Sequence, residues 1–182
     1  MTAPWIVEQS EVLQETRIFK LRRDLCRDPE ERAAYPVFVA EADDWCNVIA
    51  LTESRELVLV EQWRFGIRSP SLEIPGGIVA RGEDPGVAAA RELLEETGYE
   101  ALSLVRIGVV HPNPAIFSNR CFTYLAENVR RAAAVHENPD AMERVEVRLV
   151  PEREIDRLVG EGAITHALVL AAFLFYGLWK LR

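Results

Sequence analysis

The sequence predicts an α+β fold, in which strands, one interior helix, more strands and terminal helices follow one another. Three observations predict it. Alternating β-rich runs fill much of the chain before the interior helix, the hydrophobic period changes from two to 3.6 at one interior segment, and apolar helical patterns return near the end. A doubly wound parallel sheet is disfavoured, because that architecture alternates strands with helices and only one interior helix is evident.

Strands are expected in several runs before the interior helix. They comprise one or two strands within residues 11–23, and single strands at 37–40, 47–51, 56–63 and 72–74. A polar run follows the first of these at residues 27–32. The Thr-Glu-Ser-Arg segment at 52–55 predicts a hairpin turn, and Ser69-Pro70 predicts a break in the chain.

The interior helix carries explicit start and stop signals. Asp84 is a favourable N-cap, Pro85 suits the first helical position, and Gly98 follows the last turn. These signals predict a helix over residues 85–97. Further strands are expected at 104–110, 121–126 and 144–150, with helices at 151–159 and 164–178.

The last predicted helix is strongly apolar. Its uninterrupted apolar stretch covers residues 167–179, which is shorter than the ~20 residues that span a bilayer. A buried terminal helix is therefore favoured, with a dimer-facing helix or a membrane anchor as alternatives. No signal peptide is expected, because residues 1–10 carry one acid and no basic segment before an apolar run.

Bulk composition limits the classes of function. The chain has 182 residues, enough for one domain or one domain with a small extra sheet, and a formal net charge of -8. That charge disfavours binding to duplex nucleic acid, but it allows small phosphorylated substrates, because a bound Mg²⁺ ion reverses the local sign of a site. Three widely spaced cysteines predict free thiols and a cytoplasmic location.

The interior helix gathers three carboxylates on one face. Glu92, Glu95 and Glu96 stand at positions i, i+3 and i+4. An opposite arc is expected to pack on the sheet, and its residues are Val87, Ala90, Leu93 and Leu94. The carboxylates are open to two interpretations: a solvated acidic face, or a site for a hard cation such as Mg²⁺ or Mn²⁺.

Neighbouring residues favour the metal interpretation. Glu83 adds an acid just before the N-cap, and Arg91 can offset charge repulsion through its i+4 neighbour Glu95. The Pro-Gly-Gly turn at residues 75–77 lets the backbone approach closely, so its carbonyl groups can supply oxygen ligands.

The spacing of these residues resembles the Nudix box of the Nudix hydrolase family. Gly77 is followed by five residues, Glu83, seven residues, Arg-Glu-Leu at 91–93, one residue, Glu-Glu at 95–96, one residue and Gly98. The match holds at every defined position. The resemblance implies an α/β/α sandwich with a mixed central sheet, an additional N-terminal antiparallel sheet, and metal-dependent hydrolysis of compounds linked to a nucleoside diphosphate.

The resemblance also implies roles for individual residues. Glu95 and Glu96 match the main metal ligands, Glu92 matches a further ligand, and the Gly76 carbonyl is an additional candidate. Mg²⁺ is the expected ion, with Mn²⁺ as the alternative. Arg91 matches the residue that orients a box glutamate, and it joins Glu92 as a catalytic candidate. Glu83 matches an acid whose role varies between subfamilies.

Segments outside the box resemble the ADP-ribose pyrophosphatase-like branch. They lie at residues 61–64 (Glu-Gln-Trp-Arg), 72–77 and 111–114, and they imply that Arg64, Glu73 and Pro114 bind substrate. Structural alternatives stay open: an exposed cation for Arg64, a pair with an arginine for Glu73, and a rigid loop for Pro114. Trp63 and Phe65 are either core residues or surfaces that stack on a base.

Two departures from that branch widen the expected substrate class. Gly76 stands where the branch usually has alanine, and residues 115–120 lack the expected Gly-rich, acidic pattern. Nucleoside-diphosphate sugars as a class are therefore a firmer expectation than ADP-ribose itself.

The resemblance implies a catalytic base from a late acidic loop. Glu143 fits best, Asp140 and Glu137 are alternatives, and a box glutamate such as Glu92 is another.

The resemblance divides the chain into residues 1–45, expected to serve dimerisation and the substrate pocket, and a catalytic domain at 46–182. A homodimer acting on a small nucleotide sugar, without a membrane or duplex nucleic acid as partner, is expected. Two other functions remain open: a Nudix hydrolase of triphosphates, dinucleoside polyphosphates or capped RNA, and a non-catalytic sensor of nucleotide metabolites.

Overall fold

The computed structural model of the chain describes residues 3–30, 33–133 and 144–182. Their contacts divide into two compact units. The first contains Met1–Asp43 and His111–Arg120, and the second contains Asp44–Val110 and Cys121–Arg182. Each unit is built around its own sheet.

The first unit contains a three-stranded antiparallel sheet in the order β1-β2-β3. Its strands are β1 (Ile6–Glu15), β2 (Lys20–Arg27) and β3 (Ala34–Glu41). The Thr16 hydroxyl closes the β1–β2 turn, because it donates to the Phe19 carbonyl and accepts from the Phe19 amide. The predicted run at residues 11–23 is therefore two strands, and the expected N-terminal antiparallel sheet is confirmed.

The second unit contains a mixed sheet, which is also confirmed. Its central order is β11-β5-β4-β10-β8, with β6 paired to β5, β7 to β4 and β9 to β10. β4 and β10 run parallel, and the other pairs are antiparallel. The strands are β4 (Trp45–Thr52), β5 (Glu56–Arg64), β6 (Ser69–Glu73), β7 (Gly76–Ile78), β8 (Tyr99–Glu100), β9 (Val105–Val110), β10 (Cys121–Arg131) and β11 (Val145–Pro151).

Helices cover the two faces of this sheet. They are α1 (Pro85–Thr97), α2 (Ile155–Gly160), which follows a 3₁₀ turn at Glu152–Glu154, and α3 (Ala167–Lys180). Because side chains alternate along a strand, Val48 in β4 packs in the α1 core while its neighbour Ile49 packs in the α3 core. The result is the expected α/β/α layering, with the site-bearing helix α1 fixed against one face.

Some predicted boundaries are wrong. The chain does not break at Ser69-Pro70, because β6 begins there and Pro70 pairs with Trp63. Within the described ranges β6 pairs only with β5, so one of its two edges has no partner strand. The N–H that Pro70 lacks is therefore not needed for pairing at that edge. The helix expected at 151–159 begins only at residue 155, because Pro151 still pairs with Glu56.

The apolar helix α3 packs one face on the sheet through buried Val169, Ala172 and Tyr176, while Leu174 and Leu178 are exposed. None of the helices within residues 3–30, 33–133 and 144–182 is long and apolar enough to cross a membrane.

Candidate active site

Local hydrogen bonds fix both ends of α1 where the sequence predicts them. The Asp84 carboxylate accepts from the Gly86 and Val87 amides at 2.8 and 3.3 Å. At the other end, Gly98 has a φ of 68° and donates its N–H to the Leu94 carbonyl at 2.8 Å. Glycine is favoured at a position with this left-handed backbone conformation, and the helix ends there. The predicted span of residues 85–97 is confirmed.

The buried face of α1 is turned relative to the prediction. Its buried residues are Ala88, Ala89, Leu93 and Thr97, whereas Val87 is 60% exposed. The expectation that Val87 packs on the sheet is therefore wrong. The side chains of Glu92 and Glu95 are 14% and 41% exposed, so the carboxylates flank the buried face and do not point fully into solvent.

Arg91 is the hub of the acidic cluster. Its guanidinium donates to both carboxylate oxygens of Glu83 at 3.1 Å, to Glu92 at 2.8 Å and to Glu95 at 3.0 Å. A further N–H reaches the Ile78 carbonyl at 3.1 Å. Hydrogen bonds from Arg91 are the main reason why the pKa of Glu83 is lowered, and those to Glu83 contribute most to raising the pKa of Arg91. These hydrogen bonds therefore favour the ionised forms of Glu83 and Arg91.

Two glycines bring backbone against these carboxylates. The Gly76 amide donates to Glu96 Oε2 at 2.9 Å. A Cβ on Gly77 would lie 2.5 Å from the carboxyl carbon of Glu92, and one on Gly76 would lie 2.3 Å from the Cys46 carbonyl oxygen. At Gly76 a side chain would collide with backbone atoms, whereas at Gly77 it would collide with the end of the Glu92 side chain, so glycine at both positions allows this close approach.

The donor set suits a hard cation. Glu92, Glu95 and Glu96 offer carboxylate oxygens next to the Gly76–Gly77 backbone, which is the ligand chemistry that Mg²⁺ and Mn²⁺ prefer. Among the described residues, however, no three His, Cys, Asp or Glu side chains are grouped so as to hold a metal ion. In this arrangement Arg91 and the Gly76 amide engage oxygens that a cation would use.

A second charged cluster joins β5, β6 and α3. Arg64 donates from Nε and Nη2 to the two oxygens of Glu73, each at 2.7 Å. Glu73 is 3% exposed, and although burial raises its pKa, the bonds from Arg64 lower the pKa overall. The structural alternative for Glu73, a pair with an arginine, is therefore observed, and its partner is Arg64.

The remaining predicted residues fall in three groups. Trp63 and Phe65 are 52% and 69% exposed, so the core alternative for them is wrong. Pro114 belongs to the first unit, in a loop where Asn113 accepts hydrogen bonds from three following amides. Glu143, Asp140 and Glu137 lie outside the described residues.

Comparison with known proteins decides the family. A family model described as "NUDIX domain" matches residues 46–173. The chain belongs to the Nudix family. The resemblance inferred from the box at residues 77–98 is thereby confirmed, and the matched segment contains both charged clusters.

Individual relatives of this Nudix chain differ in how much they cover. An "ADP-ribose pyrophosphatase" of Mycobacterium tuberculosis is 30% identical over 173 residues, which are 91% of this chain and 79% of the relative. An "ADP-ribose pyrophosphatase" of Bacillus subtilis is 35% identical over 82 residues, so the chain spans less than half of that relative's length. A solved structure, "Crystal structure of ADP compounds hydrolase", shares the fold, with a TM-score of 0.85, 18% identity, and coverage of 98% of this chain and 95% of that one.

Two polar residues near the charged clusters, His166 and Asn47, could not be identified from the sequence. His166 Nδ1 lies 4.0 Å from Glu73, and the Asn47 amide donates to the Leu168 carbonyl at 3.4 Å. Neither belongs to a spaced motif. The one available signal was the residue type at the start of α3, because histidine is not a favoured N-cap.

Proposed function

We propose that this Nudix chain is a metal-dependent pyrophosphohydrolase acting on ADP-ribose or a related nucleoside-diphosphate sugar. Its products would be a nucleoside monophosphate and a sugar phosphate. The observation that carries the proposal is the carboxylate cluster around Arg91, held against the Gly76–Gly77 backbone. The named activities of the Mycobacterium and Bacillus relatives support the substrate class.

The proposed cofactor is Mg²⁺, with Mn²⁺ as the alternative. Glu92, Glu95, Glu96 and the Gly76 carbonyl would hold it. When bound, a divalent cation supplies positive charge beside the diphosphate and makes the attacking water more acidic. Arg91 and the Gly76 amide now hydrogen-bond to oxygens of Glu92, Glu95 and Glu96, so a bound cation would take the place of some of these donors.

Three other residues would position the ligands, bind the substrate and accept a proton. Arg91 would fix the positions of Glu92 and Glu95 through its hydrogen bonds. Arg64, whose guanidinium plane is fixed by Glu73, would bind a diphosphate oxygen, since a guanidinium suits phosphate geometry. The proposed general base is Glu143, which would accept a proton from the attacking water. Asp140, Glu137 and Glu92 remain the alternatives for that step.

A homodimer formed through the N-terminal strands is part of the proposal. Apolar side chains lie exposed on the outer strands of the first unit, including Val7 and Val12 in β1 and Phe38 in β3. Exposed apolar patches of this kind mark association surfaces. Light scattering coupled to size exclusion tests this point, and a species of only 20.6 kDa would count against it.

Substrate contact by Pro114 and a cytoplasmic location stay predictions.

One experiment tests the function most broadly. Pure protein and Mg²⁺ are incubated with nucleotide sugars, dinucleotides and nucleoside triphosphates, and the products are identified by mass. AMP plus ribose 5-phosphate from ADP-ribose is the expected result. Release of pyrophosphate from triphosphates would favour the alternative Nudix reaction, and tight binding without any product would favour a non-catalytic sensor.

A further inference from the structure

His166 occupies the position before the first residue of α3 without capping the helix through its side chain. Its backbone carbonyl accepts from the Val169 and Leu170 amides, each at 3.0 Å, as an N-cap residue should. Its imidazole makes no capping bond. Serine, threonine, aspartate and asparagine are preferred at N-caps because their side chains do make that bond.

The imidazole faces the buried carboxylate of the second charged cluster. Its Nδ1 lies 4.0 Å from Glu73 Oε2, which is about 1 Å beyond hydrogen-bond reach. The side chain as a whole is 30% exposed, but Nδ1 itself is buried and has no hydrogen-bond partner in the described part of the chain. A buried nitrogen is costly to leave unsatisfied, so its placement beside a carboxylate oxygen calls for an explanation.

The turn that carries His166 is anchored on both sides. Ile164 and Val169 are each 2% exposed and pack in the α3 core. The carbonyl of Leu168 accepts from the Asn47 side chain, which extends from the central strand β4 at the point where β4 pairs with Gly76. The backbone that carries the ring is therefore held in place by packing and by the hydrogen bond from Asn47.

Glu73 is flanked by Arg64 and His166, and it also has a side-chain hydrogen bond with Ser71. Arg64 from β5 binds both carboxylate oxygens, and His166 from α3 stands near Oε2, the oxygen that accepts from Arg64 Nη2. Burial lowers the pKa of the imidazole, more than Glu73 raises it, so His166 is neutral at neutral pH. A neutral ring can stand beside Glu73 without competing with Arg64 for the carboxylate charge.

We propose that His166 is a positioning residue, which fixes the Glu73 carboxylate and through it the Arg64 guanidinium that receives the substrate diphosphate. The inference rests on the proposed function for the role of Arg64. It assigns to α3, on the sheet face opposite the box helix, a part in setting substrate affinity. His166 does not touch the reacting atoms, so its removal should affect the Michaelis constant more than turnover.

Steady-state kinetics on the full chain, with ADP-ribose and Mg²⁺, test the proposal. His166→Ala should raise KM by about five- to tenfold, because the buried Glu73 carboxylate loses a neighbour that limits its movement, with kcat within about twofold. His166→Asn keeps an N–H donor near the Nδ1 position and should restore KM to within about twofold. Thr165→Ala changes the exposed neighbouring residue and should leave both constants unchanged.

A double-mutant cycle identifies the path of the effect. Once Arg64→Ala has removed the positioned group, adding His166→Ala should raise KM no further. Additive effects would overturn the proposal, because His166 would then act elsewhere. It is also overturned if His166→Ala leaves KM unchanged, or if the loss follows a fall in melting temperature that His166→Asn does not reverse.

These failures differ from failure of the proposed function. If no substrate in the panel is cleaved, the function itself is wrong. If ADP-ribose is cleaved and Arg64→Ala raises KM while His166→Ala does not, only the positioning role is lost.

Discussion

Gly77→Ala is a change of one methyl group whose effect can be worked out from the site geometry. The new Cβ would lie 2.5 Å from Glu92 Cδ, whereas ordinary contact begins at 3.4 Å. The Glu92 carboxylate must therefore move by roughly 0.9 Å if it moves directly away. A movement of this size is large enough to disturb its hydrogen bond from Arg91 Nη1, which is now 2.8 Å. Because the obstructing atoms end a flexible side chain, the backbone need not shift.

The expected result is a loss of activity with little loss of stability. A displacement of about 1 Å at a reacting centre can cost on the order of 100-fold in rate, so kcat for ADP-ribose with Mg²⁺ should fall about 10- to 100-fold. The free energy of unfolding in urea should change by less than about 1 kcal/mol. Gly177→Ala is the matched control, because its Cβ meets no atom within 4 Å, and it should retain full activity.

The reasoning fails if folded Gly77→Ala protein keeps kcat within about twofold of the wild type. Such a result would mean that the observed position of Glu92 is irrelevant to the reaction. A large loss of stability would instead mean that the backbone at residues 76–77 cannot accommodate the shift.

Four further predictions concern the same site and its neighbour. Glu96→Gln should lower kcat by at least about 100-fold while the melting temperature holds, and near-full activity would refute its assignment as a ligand. Glu143→Gln should lower kcat without weakening Mn²⁺ affinity, and an unchanged rate across the pH range would remove it as the base. Trp63→Ala should leave the free energy of unfolding within about 0.5 kcal/mol, since the ring is exposed, yet raise KM if it stacks on the base. The pKa of Glu73 is lowered in the folded protein, so its ion pair with Arg64 stabilises the fold at pH values above 4.5, the ordinary pKa of glutamate. That stabilisation is lost as the pH falls through the lowered pKa. Arg64→Ala should therefore make the free energy of unfolding depend less steeply on pH in the acidic range.

Features encoded by neighbouring residues could be predicted from the sequence. The ends of α1 depend on Asp84, Pro85 and Gly98, all within one turn of the helix termini, and the predicted span matches the observed one. Glu92 and Glu95 are brought to Arg91 by helical geometry, so their contacts with it also follow from spacing.

Features that depend on tertiary packing could not be predicted in the same way. Whether Val87 or Ala88 faces the sheet is decided by how α1 docks, and no periodicity specifies that rotation. The encounter of His166 with Glu73 joins residues from α3 and β6 that no local signal relates. Likewise, residues 111–120 group with the N-terminal sheet through a long-range bridge between Ala40 and Phe117.

At Pro70, pairing between β5 and β6 prevailed over the break in the chain that the local sequence predicts. Taken alone, Ser69-Pro70 favours a break, because proline cannot donate to a ladder. The hairpin with β5 places Pro70 opposite Trp63 in a strand that has only one partner in the described ranges, so the proline is tolerated. A prediction from residue type could not anticipate which side of the strand would be unpaired.

The central claim, that the box carboxylates hold a divalent cation beside the diphosphate, is tested most directly by Mn²⁺ titration followed by electron paramagnetic resonance. The wild-type chain should bind Mn²⁺, and Glu95→Gln should weaken that binding at least about tenfold, because a ligand charge is removed. Equal affinity in the two proteins, or no bound Mn²⁺ in the wild type at millimolar concentration, would contradict the account.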